Sequence, residues 1–159
     1  MNVRSRLVAI SGAVLLGFGG QAAAADVDHQ RLLKADKEPD NWMTYHGSYN
    51  SWHYSALKDI NTTNVKQLKV AWSHVASRST RGLQSYPLAV DGVLYYSGSY
   101  NQVWALDGAT GEVRWQYKQK LNDDLVAKQT HSPYNRGIAI GYGNVYMGTL
   151  DGKLVAIDM

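Results

Sequence analysis

Arg136 stands in the triplet Asn135-Arg136-Gly137. A guanidinium is a planar, permanently charged fork that meets a carboxylate through two parallel hydrogen bonds. An arginine in this setting either holds an anionic group or is a solvated surface charge. Gln84, in Leu83-Gln84-Ser85-Tyr86-Pro87, offers an amide that donates and accepts but carries no charge. His131 carries an imidazole that can pass a proton near neutrality, or it is a loop histidine supporting the turn before Pro133. His46 and His53 lie seven apart with no flanking carboxylate pattern, and His29 and His74 are isolated, so no histidine spacing reads as a metal site.

Other chemistries are excluded by what is missing. The 159 residues contain no cysteine, which removes thiol catalysis, cysteine-ligated zinc, disulfides and a cysteine-borne lipid anchor. There is no G-x-S-x-G, Walker loop or C-x-x-C-H. Gly141-Tyr142-Gly143-Asn144 is a turn, because no helical pattern follows it to bind phosphate. The charged stretch Lys118 to Asp124 reads as a solvated loop.

The N-terminus reads as a secretory signal. Arg4 and Arg6 precede an apolar run from Leu7 to Phe18, and Ala22 to Ala25 supply small residues for cleavage after Ala25. The run is too short for a membrane anchor, which needs ~20 residues. Removing residues 1–25 takes two arginines from the 16 basic side chains and nothing from the 13 acids, so the net charge falls from +3 to +1. No basic stripe remains for phosphates, so a nucleic-acid partner is not expected. No membrane span is expected after cleavage.

The residues named above must be positioned by strands. Residues 91–107 overlay residues 142–158 without a gap at a constant offset of 51: Gly92 on Gly143, Tyr95 on Tyr146, Ala105 on Ala156, Asp107 on Asp158. Repeats of this size mark solenoids and propellers. Inside the first unit, strands are expected at 86–90, 93–98, 102–107 and 112–117, separated by Asp91-Gly92, a polar turn and Gly108 to Gly111. The second unit repeats three of them near 137–141, 144–148 and 152–157. Residues 64–74 carry Trp72, similar in setting to Trp115, and suggest an earlier partial unit. The expectation is all-β: a β-propeller of which about two and a half blades are present. A propeller closes with ~4–8 blades, so residues 26–159 are expected to be the truncated N-terminal part of a longer propeller domain. A small β-sandwich is the alternative.

Ala105-Leu106-Asp107, Thr110-Gly111 and Trp115 resemble the tryptophan-docking repeat of quinoprotein propellers. A longer pattern sharpens this: Asn41-Trp42, Tyr54-Ser55-Ala56-Leu57, Ile60-Asn61, Asn64-Val65 and Trp72 resemble the opening of the pyrroloquinoline-quinone (PQQ) alcohol dehydrogenases, methanol/ethanol branch. The likeness extends over about 41–159. It implies an eight-bladed periplasmic propeller with PQQ on its axis and calcium or a lanthanide ion as Lewis acid. It also implies a small-molecule alcohol as substrate and a cytochrome c as electron acceptor. The alternative is a cofactor-free propeller of the same repeat, serving as an envelope assembly scaffold.

The resemblance also assigns site residues. The family has an acid contacting PQQ where this chain has Gln84, and the arginine of its Asn-Arg-Gly triplet, here Arg136, binds a PQQ carboxylate. Two adjacent cysteines that lie on PQQ in the family are replaced here by Thr130 and His131. The repeat offset sends Gln84 to Asn135 and Ser85 to Arg136, which puts both sites at the same point of successive units, just before the first strand. The family's metal ligands and catalytic carboxylate are expected beyond residue 159.

Overall fold

Two short hairpin turns set the whole arrangement. Asp91 and Gly92 have φ of 49° and 77°, and Tyr142 and Gly143 have 49° and 72°. Two successive residues in the left-handed region make the turn whose twist matches a two-residue hairpin. The repeat thus preserves backbone shape even where Asp91 is replaced by Tyr142. This computed structural model describes residues 26–76, 83–122, 124 and 133–159. The proposed signal, residues 1–25, lies outside them.

The first sheet runs β1 (Leu88–Val90), β2 (Val93–Gly98), β3 (Gln102–Asp107), β4 (Val113–Lys118), antiparallel and in chain order. The second contains β5 (Ala139–Gly141), β6 (Asn144–Gly148) and β7 (Leu154–Asp158). The strands expected at 93–98, 102–107 and 144–148 have those bounds. Those expected at 86–90, 112–117, 137–141 and 152–157 begin one or two residues later, where the chain first finds a ladder partner. The offset extends to register: Val93 faces Asp107 and Tyr95 faces Ala105, while Asn144 faces Asp158 and Tyr146 faces Ala156.

Alternation along β2 and β3 sorts the first sheet into two buried faces. Val93, Tyr95, Val103 and Ala105 join Leu88, Val90, Ile140, Val145 and Met147 in the core between the sheets. Tyr96, Trp104 and Leu106 point the other way and pack with Trp72, Ala76 and Leu94. The outer strand β4 is exposed except for the half-buried Trp115 and Tyr117, which pack against the core.

An N-terminal strap ties the sheets together. Asp28 caps helix α1 (His29–Leu33) by accepting the Arg31 N–H at 2.7 Å. Val27 is buried in the inter-sheet core, and its carbonyl accepts the Tyr142 N–H at 3.1 Å. Trp42 bridges Ala89 on the free edge of β1 through two hydrogen bonds of 2.7 and 3.1 Å. Arg31 pairs with Glu38 at 2.8 Å and with Asp91 at 2.5 Å, clamping the strap to the β1–β2 turn.

Residues 64–74, expected to belong to an earlier partial unit, make no strand pairing among the described residues: Val65–Gln67 form a 3₁₀ turn and residues 68–76 run without a ladder partner. A strand exists through its ladder partner, and here Val70 is 85% and Val75 81% exposed. The described residues therefore form one four-stranded and one three-stranded sheet, with Trp72 packed against the first.

Candidate functional site

The sequence places Gln84 and Arg136 on equivalent first-strand entries, Gln84 aligning with Asn135 and Ser85 with Arg136, and the backbone explains how each entry is held. In the first sheet, Ser85 Oγ accepts the Ser97 N–H at 2.9 Å and lies 3.0 Å from Ser97 Oγ. In the second, Asn135 Nδ2 donates to the Gly148 carbonyl at 2.8 Å, and Asn135 Oδ1 accepts the Gly137 N–H at 3.0 Å. Ser97 and Gly148 are 51 apart, so the same end of the second strand anchors the entry to the first strand in both units. Gln84 and Arg136 sit on these anchored entries, and both are exposed.

Arg136 lines an open cleft of about 520 Å³ with Tyr45, Asn135, Tyr146 and Leu154. Val145 and Met147 of β6 point into the core, so Tyr146 and Gly148 belong to the outward face that floors the cleft. Gly137 has a φ of 149° and nothing within 4 Å of where a Cβ would stand. Tyr45 stacks near Tyr86 at 4.1 Å between centroids and near His46 at 4.6 Å, and His46 lies 4.3 Å from His53. This aromatic wall was not legible from spacing, because it joins residues 40 apart through a loop. The offset that pairs Asn135 with Gln84 was the available signal for Asn135.

Charge pairing distinguishes the described arginines. Arg31 is bound by Glu38 and Asp91, and Arg114 donates to Asp107 at 2.8 Å. Asp107 also accepts the N–H groups of Ala109 and Thr110, both at 3.0 Å. Arg114 and these turn N–H groups hold its carboxyl at about 2, well below the ordinary range. Arg136 has no carboxylate partner and no hydrogen bond among the described residues. An unpaired guanidinium in a cleft suits an anionic ligand.

The described residues do not bring Gln84 and Arg136 into contact; Gln84 lies outside the cleft lining. Thr130 and His131 lie outside the described residues. No group of three or more histidine, aspartate or glutamate side chains able to hold a metal occurs among the described residues. Nor is any described helix long and apolar enough to cross a membrane.

Residues 42–159 match the PQQ family described as glucose/ethanol/alcohol dehydrogenase, β-propeller domain. The chain is similar to the quinohemoprotein alcohol dehydrogenase ADH-IIG of Pseudomonas putida, 40% identical over 157 residues, covering 96% of this chain and 22% of that protein. It is 37% identical over 152 residues to the dehydrogenase subunit of the quinone alcohol dehydrogenase of Gluconacetobacter polyoxogenes, covering 94% and 20%. Among solved structures, ADH-IIG from Pseudomonas putida superposes with a TM-score of 0.78 at 43% identity, over 85% of this chain and 20% of that one. A europium-containing methanol dehydrogenase superposes with a TM-score of 0.68 at 37% identity, over 81% and 23%. The chain spans about a fifth of the length of the curated relatives it matches.

Proposed function

The chain belongs to the glucose/ethanol/alcohol dehydrogenase β-propeller family of PQQ proteins, and on that premise we propose that it is the N-terminal portion of a periplasmic PQQ-dependent alcohol dehydrogenase. The whole protein is an eight-bladed propeller, the two sheets described above are two of its blades, and residues 1–25 are a cleaved export signal. Its substrate is a small alcohol and its electron acceptor a cytochrome c. The metal beside the cofactor is calcium or a lanthanide, held by residues outside this chain. When bound, PQQ supplies the two-electron acceptor for hydride from the alcohol.

The observation that carries this reading is Arg136. It is the one described arginine without a carboxylate, at the entry of β5, in a cleft with aromatic walls. In this role Arg136 pairs with a carboxylate of the cofactor, and Asn135 holds its backbone in place. Gln84 presents a neutral amide from the matching first-strand entry of the neighbouring blade, one residue before the counterpart of Arg136. Thr130 and His131 belong to the same site, contributing a hydroxyl and an imidazole where the resemblance puts the cofactor's face. None of these residues abstracts the substrate proton; the catalytic carboxylate is assigned to the remainder of the protein.

The test is a titration of the full-length apoprotein with PQQ, followed by absorbance. Arg136→Ala is expected to weaken binding roughly ten- to a hundredfold, the loss of one charge-assisted contact worth ~1.5–3 kcal/mol. Lys118→Ala, at the end of the outer strand, is expected to leave affinity unchanged. Equal affinity of wild type and Arg136→Ala removes Arg136 from the site and favours the cofactor-free scaffold.

A further inference from the structure

Asn101 is fully buried in the β2–β3 turn of the first sheet, with a left-handed φ of 54°. Asparagine is among the few residues other than glycine that tolerate this conformation. Its side chain reaches into the second sheet: Oδ1 accepts the Leu150 N–H at 3.0 Å, and Nδ2 donates to Gln119 Oε1 at 3.2 Å. Gln119 in turn donates from Nε2 to both oxygens of Asp151, at 3.1 and 3.2 Å, and from its backbone N–H to the Asn101 carbonyl at 3.1 Å. The polarity of this relay is fixed at both ends. The Leu150 N–H can only donate, and the Asp151 carboxylate, held at about 2 by Lys153 and Thr149, can only accept. Each amide between them has one orientation that satisfies both neighbours.

Two routes lead from this turn to Arg136. The Tyr100 N–H donates to the carbonyl of Pro133 at 2.9 Å, three residues before Arg136. Leu150, gripped by Asn101, is two residues beyond Gly148, whose carbonyl receives the Asn135 amide at 2.8 Å. The segment carrying Arg136 is therefore fastened on one side to the Asn101 turn and on the other to the last residue of β6, which leads into the β6–β7 turn that Asn101 also holds. An unmade bond here is costly, because Asn101 is sealed from solvent.

We infer that Asn101, on one sheet, is the positioning residue that sets where Arg136, on the next, presents its guanidinium to an anionic ligand. This rests on the reading of Arg136 as a PQQ contact. It assigns the specificity of the site partly to a residue that touches no ligand, and it makes blade-to-blade registry a determinant of cofactor affinity.

The test uses full-length apoprotein carrying Asn101→Gly, Arg136→Ala, or both, with Gln119→Leu as a milder break of the same relay. Glycine keeps the left-handed backbone and removes only the side-chain bonds. Two quantities are read: hydrogen exchange of the backbone at 134–138, and affinity for PQQ by absorbance. Asn101→Gly is expected to speed exchange at Gly137 and to weaken PQQ about tenfold. In the Arg136→Ala background the second change is expected to have little further effect on affinity, since the residue it positions is gone. Gln119→Leu should move both quantities the same way by less, and it serves if Asn101→Gly does not fold. Unchanged exchange at 134–138, or an affinity loss that is fully additive with Arg136→Ala, overturns the inference. Should Arg136→Ala bind PQQ like wild type while Asn101→Gly still speeds exchange, the cofactor reading fails and the positional tie stands.

Discussion

Trp72 packs against Gly111 so closely that a Cβ on Gly111 would lie 2.5 Å from Trp72 Cδ2 and 2.8 Å from Cγ. The indole Nε1–H also donates to the Gly108 carbonyl at 3.1 Å. One aromatic side chain thus docks on the β3–β4 turn by face and by edge. Gly111→Ala meets both this ring and a φ of 75°. It is expected to destabilise the whole protein by about 2–3 kcal/mol. Trp72→Phe keeps the ring, loses the hydrogen bond, and should lose about 1 kcal/mol. Urea denaturation followed by tryptophan fluorescence measures both; a Gly111→Ala protein as stable as wild type contradicts the docking geometry.

The strap predicts acid sensitivity. Arg31 holds the carboxyls of Glu38 and Asp91 below their ordinary values of 4.5 and 3.8, chiefly through direct hydrogen bonds. A carboxyl whose value is lowered by folding stabilises the fold above its unfolded value and loses that contribution as the pH falls through the folded one. Arg31→Met is therefore expected to lower stability by about 1 kcal/mol at pH 7, the scale of a partly exposed pair. The difference from wild type should close as the pH drops below about 4. Denaturation midpoints measured at pH 7 and pH 3 decide it, and a gap that does not narrow between them assigns the loss to packing instead.

Tyr96 predicts the opposite limb. Its hydroxyl bonds His74 Nδ1, its ring stacks on Trp104 at 5.4 Å with an interplanar angle of 13°, and burial pushes the phenol up to about 12. An unfolded tyrosine loses its proton near 10. Between those values the unfolded chain binds fewer protons than the folded one, so stability falls as the pH rises from about 10 to 12. Tyr96→Phe should flatten that decline, and ultraviolet titration of the native protein should show one fewer late-ionising phenol in the variant. An unaltered alkaline profile places Tyr96 in contact with solvent.

The mature chain is expected to start within a few residues of Asp26. Asp26 Oδ1 accepts the Gly143 N–H at 2.6 Å and Val27 is buried, so the residues that follow the expected cleavage point are bound into the fold. N-terminal sequencing of periplasmic protein checks this; recovery of Met1 on an unexported product refutes it.

What the sequence disclosed was whatever repeats. Hairpins at Asp91-Gly92 and Tyr142-Gly143, the shared register, and the equivalence of the Gln84 and Arg136 entries all follow from a period that alternation and turn residues write into the chain. Trp72 resembles Trp115 in its sequence setting, and the residues around it make no ladder pairing among the described residues, since propensity cannot supply a ladder partner. The strap, the Tyr45–His46–His53–Tyr86 wall and the Asn101 relay left no trace in periodicity. Each is held by side-chain, ring or backbone contacts that fall outside the repeat, and such pairings have no periodic signature.

The anchoring of the two first-strand entries has a consequence for symmetry. A ring of identical units would offer a single central ligand several equivalent poses, and the population would be divided among them. Here the copies share their backbone and differ in what they present. Ser97 offers an N–H donor to its entry where Gly148 offers a carbonyl acceptor, and the neutral hydroxyl of Ser85 is followed one unit later by the cation of Arg136. In the proposed site, the degeneracy of the architecture is lifted at the point where the ligand would meet it. An unsymmetrical, polyanionic molecule then has one azimuth of lowest energy, written by the departures from the repeat.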